Sequence, residues 1–118
     1  MSAIKRHESS PILSDAVEHG GLVYLAGQVP EDLSQDIRGQ TREVLSAIDA
    51  LLEKAGSHKS RILSVNIWLA DIRQREEMNE VWKAWADPAH LPARATVEAK
   101  LGHPRMLVEI MLVAAKNT

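Results

Sequence analysis

Residues 14–26 read SDAVEHGGLVYLA, two short runs of residues joined by a pair of glycines. Gly20 and Gly21 can both take the positive φ that a two-residue hairpin turn requires. The second run is almost wholly apolar and contains valine and tyrosine, which favour strands. We therefore predict a β-hairpin with Ser14–His19 and Leu22–Ala26 as its arms.

Downstream of the hairpin, apolar residues recur every three or four positions, which is the period of an amphipathic helix. Ser34 is the predicted N-cap of a first helix, and Gly56 closes that helix. A second helix is predicted from about Arg73 to Ala86 and is stopped by Asp87-Pro88. The apolar stripe of the first helix is Val44, Leu45, Ile48, Leu51, Leu52 and Ala55, and that of the second is Met78, Val81, Trp82 and Trp85.

Two-residue alternation predicts three further strands, Arg61–Ala70, Ala93–Leu101 and Met106–Ala115. The order is then hairpin, helix, strand, helix, strand, strand, which indicates an α+β fold with two helices packed on one face of the sheet. One side of the first of these strands is predicted to be fully apolar, with Leu63, Val65, Ile67 and Leu69.

The sheet face without helices is predicted to be mixed in polarity. On it we expect Trp68, Met111 and Val113 beside Ser64, Asn66, Thr96 and Glu109. A face of this kind is explained more easily by packing against other subunits than by exposure to water. The pattern therefore predicts a homo-oligomer that brings sheet faces together.

Composition excludes several classes of protein. The length of 118 residues predicts one domain, residues 1–118, and a net charge of −2 argues against a generally basic nucleic-acid-binding protein. No apolar run approaches the ~20 residues that span a bilayer, and Met1–Ser10 is polar without a signal core. The absence of cysteine excludes disulfides and thiolate chemistry and fits a cytoplasmic location.

Motifs for metals and cofactors are missing from the sequence. The five histidines show no spacing typical of metal ligands, and no glycine-rich nucleotide motif or Gly-x-Ser-x-Gly segment is present. We therefore expect neither a metal ion nor an organic cofactor.

The stretch Pro92-Ala93-Arg94-Ala95-Thr96-Val97-Glu98 places an arginine at the start of a predicted strand. Its planar guanidinium can hold a carboxylate through two parallel hydrogen bonds. Glu109, expected on the adjacent final strand, is a lone carboxylate in an apolar run, where it is costly unless paired or used. Two alternatives stay open: both are ordinary surface residues, or they form an ion pair without a catalytic role.

Several segments, in their order and spacing, resemble the RidA family, also called the YjgF or reactive-intermediate deaminase family. The resemblance extends over nearly the whole chain, and its YoaB-like branch shares the shortened N-terminal part and the tryptophan-rich second helix. The segments are VYLAGQVP (23–30), AIDALLEKAG (47–56), IWLADI (67–72), MNEVWKAW (78–85), PARATVE (92–98) and VEI (108–110).

The resemblance implies a chorismate-mutase-like mixed sheet and a homotrimer whose sheets form a central barrel, with ligand clefts between subunits. The implied activity is hydrolysis of enamines and imines of the 2-aminoacrylate and 2-iminopropanoate type to a 2-keto acid and ammonia, without a cofactor. By position, Arg94 would bind the substrate carboxylate and Glu109 would direct water. Gly27 and Thr96 would line the cleft, and Asn79 matches a family asparagine expected to be structural.

One departure from the family pattern lies before the hairpin, where many members carry a cleft tyrosine and this chain has Leu13–Val17. Rival functions are therefore kept. A non-catalytic trimeric protein that binds small carboxylates would need Arg94 but not Glu109. An endoribonuclease or translation inhibitor is disfavoured by the acidic charge and few aromatic residues. A holdase chaperone has no specific signature here.

Overall fold

The computed structural model describes residues 3–118; Met1 and Ser2, which belong to the polar N-terminal segment and to the predicted domain, lie outside the described residues. One sheet contains six strands in the order β1-β2-β3-β6-β4-β5. The strands are β1 (Lys5–Ser9), β2 (Ser14–His19), β3 (Leu22–Gln28), β4 (Ile62–Leu69), β5 (Ala93–Glu98) and β6 (Val108–Ala115). The helices are α1 (Ile37–Lys54) and α2 (Arg75–Trp85), with 3-10 turns at Lys59–Arg61 and Ile72–Gln74.

The predicted hairpin is confirmed as β2 and β3. Gly20 and Gly21 adopt φ values of +59° and +80°, and His19 pairs with Leu22 across the two-residue turn. The sequence did not predict β1, which pairs with β2 at the edge of the sheet. Its residues are polar, and only His7 is buried, so it lacks the apolar alternation by which strands are recognised.

A buried carboxylate holds β1 in place. Glu18 on β2 is 7% exposed and bonds both Lys116, which follows β6, and His7 on β1. The hydrogen bond from Lys116 and then that from His7 lower the pKa of Glu18. The charge is therefore compensated, as a buried carboxylate requires.

Both predicted helices are present, but the N-cap of α1 is Asp36, two residues after the predicted Ser34. The Asp36 carboxylate accepts a 2.9 Å hydrogen bond from the Gly39 N–H, which is the N-cap interaction; Ser34 instead donates to Asp32 in the preceding turn. Gly56 follows the helix at φ +76°, as predicted. No helix within residues 3–118 is long and apolar enough to cross a membrane.

The two helices cover one face of the sheet, as predicted. α2 connects β4 to β5, which pair in parallel, whereas every other neighbouring pair in the described sheet is antiparallel. The core lies between the helices and the inward residues of the strands. Its largest fully buried side chains include Ile37, Leu45, Ile48, Leu52, Ile67, Leu69, Met78, Ile110 and Leu112.

The other sheet face, here called the open face, exposes large apolar side chains. Tyr24, Met111, Val97 and Leu63 are 42%, 37%, 49% and 49% exposed. The prediction that Leu63 lies on the apolar inner face is wrong, because the β4–β6 register shifts between Ile62 and Ser64 and turns Leu63 outward. Exposed apolar groups on one face fit the predicted packing between subunits.

A buried glutamine fixes the segment that leads into β6. Gln40 on α1 is completely buried; its amide nitrogen donates to the carbonyls of Gln35 (3.1 Å) and Arg105 (2.9 Å), and its amide oxygen accepts from the Leu107 N–H (2.8 Å). These bonds satisfy an amide that would be costly to bury alone. They also set the position at which β6 begins.

Candidate functional site

Strand register assigns the predicted site residues to different faces of the sheet. Across β4, Val65 aligns with Arg94 and Ile67 aligns with Thr96, so both residues of β5 lie on the face that carries the helices. Trp68 aligns with Glu109 of β6, which lies on the open face. The expected position of Thr96 on the open face is therefore wrong.

The expected adjacency of the two last strands is also wrong. β4 separates β5 from β6, because the α2 crossover adds β5 parallel to the outer side of β4. Arg94 and Glu109 thus lie two strands apart and on opposite faces, and the ion pairs among residues 3–118 include none between them. The alternative of an Arg94–Glu109 pair within one chain fails on this geometry.

Arg94 lies in a cavity of about 360 Å³ between β5, α2 and the loop that joins them. We call this cavity the arginine pocket; it is lined by Asn79, Trp82, Lys83, Ala86, Pro88, Leu91 and Arg94. The guanidinium carbon of Arg94 is 5.2 Å from the centre of the Trp82 ring, within the range of a cation–π contact. The indole therefore helps to hold the guanidinium in the pocket.

The charge of Arg94 is not balanced by a carboxylate within residues 3–118. Burial, and then the nearby charge of Arg75, lower the pKa of Arg94. Both effects disfavour the cation, and an anion placed against the fork would relieve both. The pocket is thus electrostatically suited to a small carboxylate.

Two polar atoms near Arg94 are buried without a hydrogen-bond partner in the described residues. One is the hydroxyl of Thr96, two residues after Arg94 on the same face of β5. The other is the side-chain oxygen of Asn79, which lines the arginine pocket. An unsatisfied buried polar group costs roughly 1–3 kcal/mol. Thr96 and Asn79 therefore offer hydrogen-bonding capacity that a bound molecule could use.

Glu109 and Gly27 form the second group of site residues, on the open face. A Cβ atom added at Gly27 would overlap the Glu109 carboxylate oxygen and lie 3.0 Å from its Cδ. The β3–β6 register shifts between Leu25 and Gln28, beside this contact. Glycine is therefore needed at position 27 because the Glu109 carboxylate occupies the space of a side chain.

Within one chain the structure thus brings together Arg94 with Thr96, and Gly27 with Glu109, but does not join the two groups. Trp82, predicted as part of the apolar stripe of the second helix, is buried there. Its contact with Arg94 was not predicted. The spacing Asn79 to Trp82, three residues on one helix face, was the available signal. The structural role of Gln40 was not predicted either, because nothing near it in the sequence shows that its hydrogen-bond partners are Arg105 and Leu107.

No group of three or more His, Asp or Glu side chains suited to a metal ion is found in the part of the chain that the structure describes.

Comparisons with known proteins agree on one family. The chain matches the family model described as Endoribonuclease L-PSP over residues 4–116. A RutC family protein of Haemophilus influenzae is 47% identical over 112 residues, which cover 94% of this chain and 97% of that protein. The RutC family protein YoaB of Escherichia coli K12 is 46% identical over 112 residues, covering 95% and 97%.

The fold is shared with a protein of known structure. The crystal structure of a YjgF family member from Neisseria meningitidis has a TM-score of 0.96 and 40% sequence identity to this chain. The match covers 98% of this chain and 97% of the other. The mixed sheet with two helices on one face is therefore an architecture already observed in that family.

Proposed function

This chain belongs to the RidA/YjgF family, in its YoaB-like branch, and on that premise we propose that it is a hydrolase of reactive 2-imino acids and their enamine tautomers. The products are a 2-keto acid and ammonia. The simplest substrate is 2-iminopropanoate, formed from 2-aminoacrylate. The reaction needs no metal or organic cofactor, because an iminium carbon is already electrophilic.

The observation that carries this proposal is the state of Arg94. Its guanidinium is half-buried, lies over the Trp82 ring and has no carboxylate partner among residues 3–118. A 2-imino acid supplies a planar carboxylate that matches this fork through two charge-assisted hydrogen bonds. The unpartnered Asn79 oxygen in the pocket wall can accept a hydrogen bond from the ligand, and the unpartnered Thr96 hydroxyl lies on the same face of β5 as Arg94.

The position of Glu109 supports a role in delivering water. Its carboxylate lies against Gly27 on the open face, with no other side chain of residues 3–118 within ion-pair distance. In the proposed reaction, water attacks the iminium carbon while Glu109 takes one of its protons. Glu109 returns that proton to the amino group of the tetrahedral intermediate. As the C–N bond breaks, Glu109 accepts the hydroxyl proton, the carbonyl of the 2-keto acid forms, and the departing ammonia takes up that proton as ammonium. General base catalysis of this type contributes typically ~100- to 10,000-fold.

The separation of the two groups leads us to propose a homotrimer with the active site between subunits. One protomer contributes Arg94 and Thr96 from its sheet edge, and its neighbour contributes Gly27 and Glu109 from its open face. The exposed apolar side chains of that face, Tyr24 and Met111 among them, fit burial against a neighbour. Light scattering that gave the mass of a monomer at micromolar concentration would contradict this assembly.

The test of the activity uses 2-iminopropanoate generated in place by an amino-acid oxidase or dehydratase. We expect this protein to accelerate release of ammonia and pyruvate, and Arg94→Ala to abolish the acceleration with little loss of stability. Arg94→Lys is the sharper variant, since it keeps the charge but not the two-pronged fork, and we expect it to be inactive too. Wild-type turnover in Arg94→Ala would refute the proposed carboxylate site.

The second candidate is a protein that binds small carboxylates without turning them over. It is favoured by the missing cleft tyrosine at residues 13–17. Glu109→Gln separates the two functions, because glutamine keeps the size but cannot take a proton. The proposed enzyme loses rate while calorimetry shows nearly unchanged pyruvate binding; an unchanged rate would favour the binding protein.

A further inference from the structure

The outer surface of the helix layer contains a groove that the proposed active site does not use. It has a volume of about 600 Å³ and lies between α1 and α2, away from Glu109 and the open face. Leu45 and Val81 form its apolar floor, and Trp85 forms one wall. We call it the inter-helix groove.

Each helix contributes a small residue to the lining of the groove. Ser46 on α1 and Ala84 on α2 line it, and neither can fill the space between the helices. The helices are instead joined at the two ends of this gap. At one end Arg38 bonds Glu80 (2.9 Å) and Glu77 (3.3 Å).

At the other end the Trp85 ring nitrogen donates a 2.8 Å hydrogen bond to the Asp49 carboxylate. Arg38 and Asp49 are eleven residues apart on α1, which corresponds to roughly 16 Å along a helix. The free length between the two links is shorter still. The stretch between the two links is too short to bury a typical interface helix or strand, so the dimensions favour a small molecule.

The preference for an anion comes from one cation rather than from the net charge. The lining contains three cations, Arg38, Arg42 and Lys59, and two carboxylates, Asp49 and Glu80. Glu77, which bonds Arg38 from outside the lining, brings the sum of these charges to zero, and Arg38 is occupied by its two glutamates. Arg42 has no ion-pair partner among residues 3–118, and it lies one helical turn from Arg38, where like charges repel.

The aromatic wall favours a ligand whose remaining part, apart from the anionic group, is apolar. Trp85 is partly exposed, and Lys59 lies 5.4 Å from the centre of its ring. The ring thus contacts both a second cation and the Trp82 ring, whose centre is 5.4 Å away, and its remaining exposed part contributes apolar surface to the groove. From these observations we propose that the inter-helix groove binds a small organic anion with an apolar or aromatic body, its charge at Arg42 and its body between Leu45, Val81 and Trp85.

The probe for this site is phenylacetate, with phenylacetamide and acetate as controls that lack the charge or the body. Binding is followed by two-dimensional NMR of the ¹⁵N-labelled protein, whose three tryptophan ring N–H signals report on different places. The titration uses the Arg94→Ala variant, so that the arginine pocket cannot hold the carboxylate. Phenylacetate is expected to shift the Trp85 signal saturably and to leave that of Trp68, on the open face, in place.

Variants then test the two halves of the proposed ligand site. Arg42→Gln is expected to weaken phenylacetate binding about fivefold, the range of an exposed charge pair. Ala84→Met should fill the groove and abolish the Trp85 shift. Lys100→Gln, which removes an exposed cation outside the groove, should leave binding as it was.

Three results would overturn the proposal: no saturable Trp85 shift, equal binding of phenylacetamide, or unchanged affinity in Arg42→Gln. Because the imine hydrolysis assay is independent of this titration, failure here leaves the proposed reaction standing, and failure of that reaction leaves this site standing.

Discussion

Mixing of subunits provides the most direct test of an active site divided between protomers. Arg94→Ala and Glu109→Gln would each be nearly inactive alone, because each removes one half of every site. Co-expressed in equal amounts with different affinity tags, they would form mixed trimers in the proposed assembly. A site is then complete when an Arg94-bearing protomer meets a neighbour that bears Glu109.

The expected recovery follows from the geometry. In a ring with random assembly, half of the protomers supply an intact Arg94 and half of their neighbours supply an intact Glu109, so about one quarter of the sites are complete. If one chain supplied both residues to a site, no site would be complete and no activity would return. Because Arg94 and Glu109 lie on opposite faces of the sheet in one chain, we predict that about one quarter of the sites are complete.

The matched control mixes the wild type with the Arg94→Ala/Glu109→Gln double variant. A divided site again requires two intact neighbours, so about one quarter of the sites work; a site within one chain would leave about one half working. The assay is ammonia release from 2-iminopropanoate by the total pool of assemblies, homotrimers included; tandem affinity purification of a sample serves only to show that mixed trimers have formed. No recovery in the first mixture together with one half in the second would refute the divided site.

Three other substitutions probe single contacts. Thr96→Val removes a hydroxyl that has no partner among residues 3–118, so we expect thermal unfolding to show a gain of about 1 kcal/mol while calorimetry shows weaker pyruvate binding. Gly27→Ala should displace the Glu109 carboxylate and lower the turnover rate by about 100-fold, whereas Gly102→Ala, with open space around it, should not; equal rates would contradict the contact. Glu18→Gln should lower the free energy of unfolding by about 1–3 kcal/mol at pH 7. Because the pKa of Glu18 is depressed in the folded state, this difference should shrink in urea titrations as the pH falls below the ordinary glutamate pKa of about 4.3, and it should be lost once the pH passes the lower pKa of the folded state. A difference that persists at still lower pH would assign the effect to packing.

Patterns in the sequence were sufficient for most of the secondary structure. The helices have long apolar stripes, and the hairpin has two glycines at positive φ, so local signals agree with the fold. The errors occur where the signal is not local. β1 is polar and is held by contacts with distant residues, and the outward turn of Leu63 depends on a register shift against β6.

The arrangement of the site residues also depends on contacts that are distant in sequence. Alternation places Arg94 and Thr96 on one side of their strand but does not say which side of the sheet that is. That choice depends on the parallel pairing of β5 with β4, which the α2 crossover determines. The resemblance to a family therefore selected the residues, whereas the strand order was needed to see that they form two groups.

The strand order also has a consequence for the newly made chain. β6 lies between β3 and β4 in the sheet, although the ribosome makes it after both. Until it emerges, β3 and β4 each present an edge of unpaired peptide groups, which is when pairing with another nascent copy is easiest. Because β6 also carries Glu109, the strand that closes these edges is the one that brings the carboxylate against Gly27.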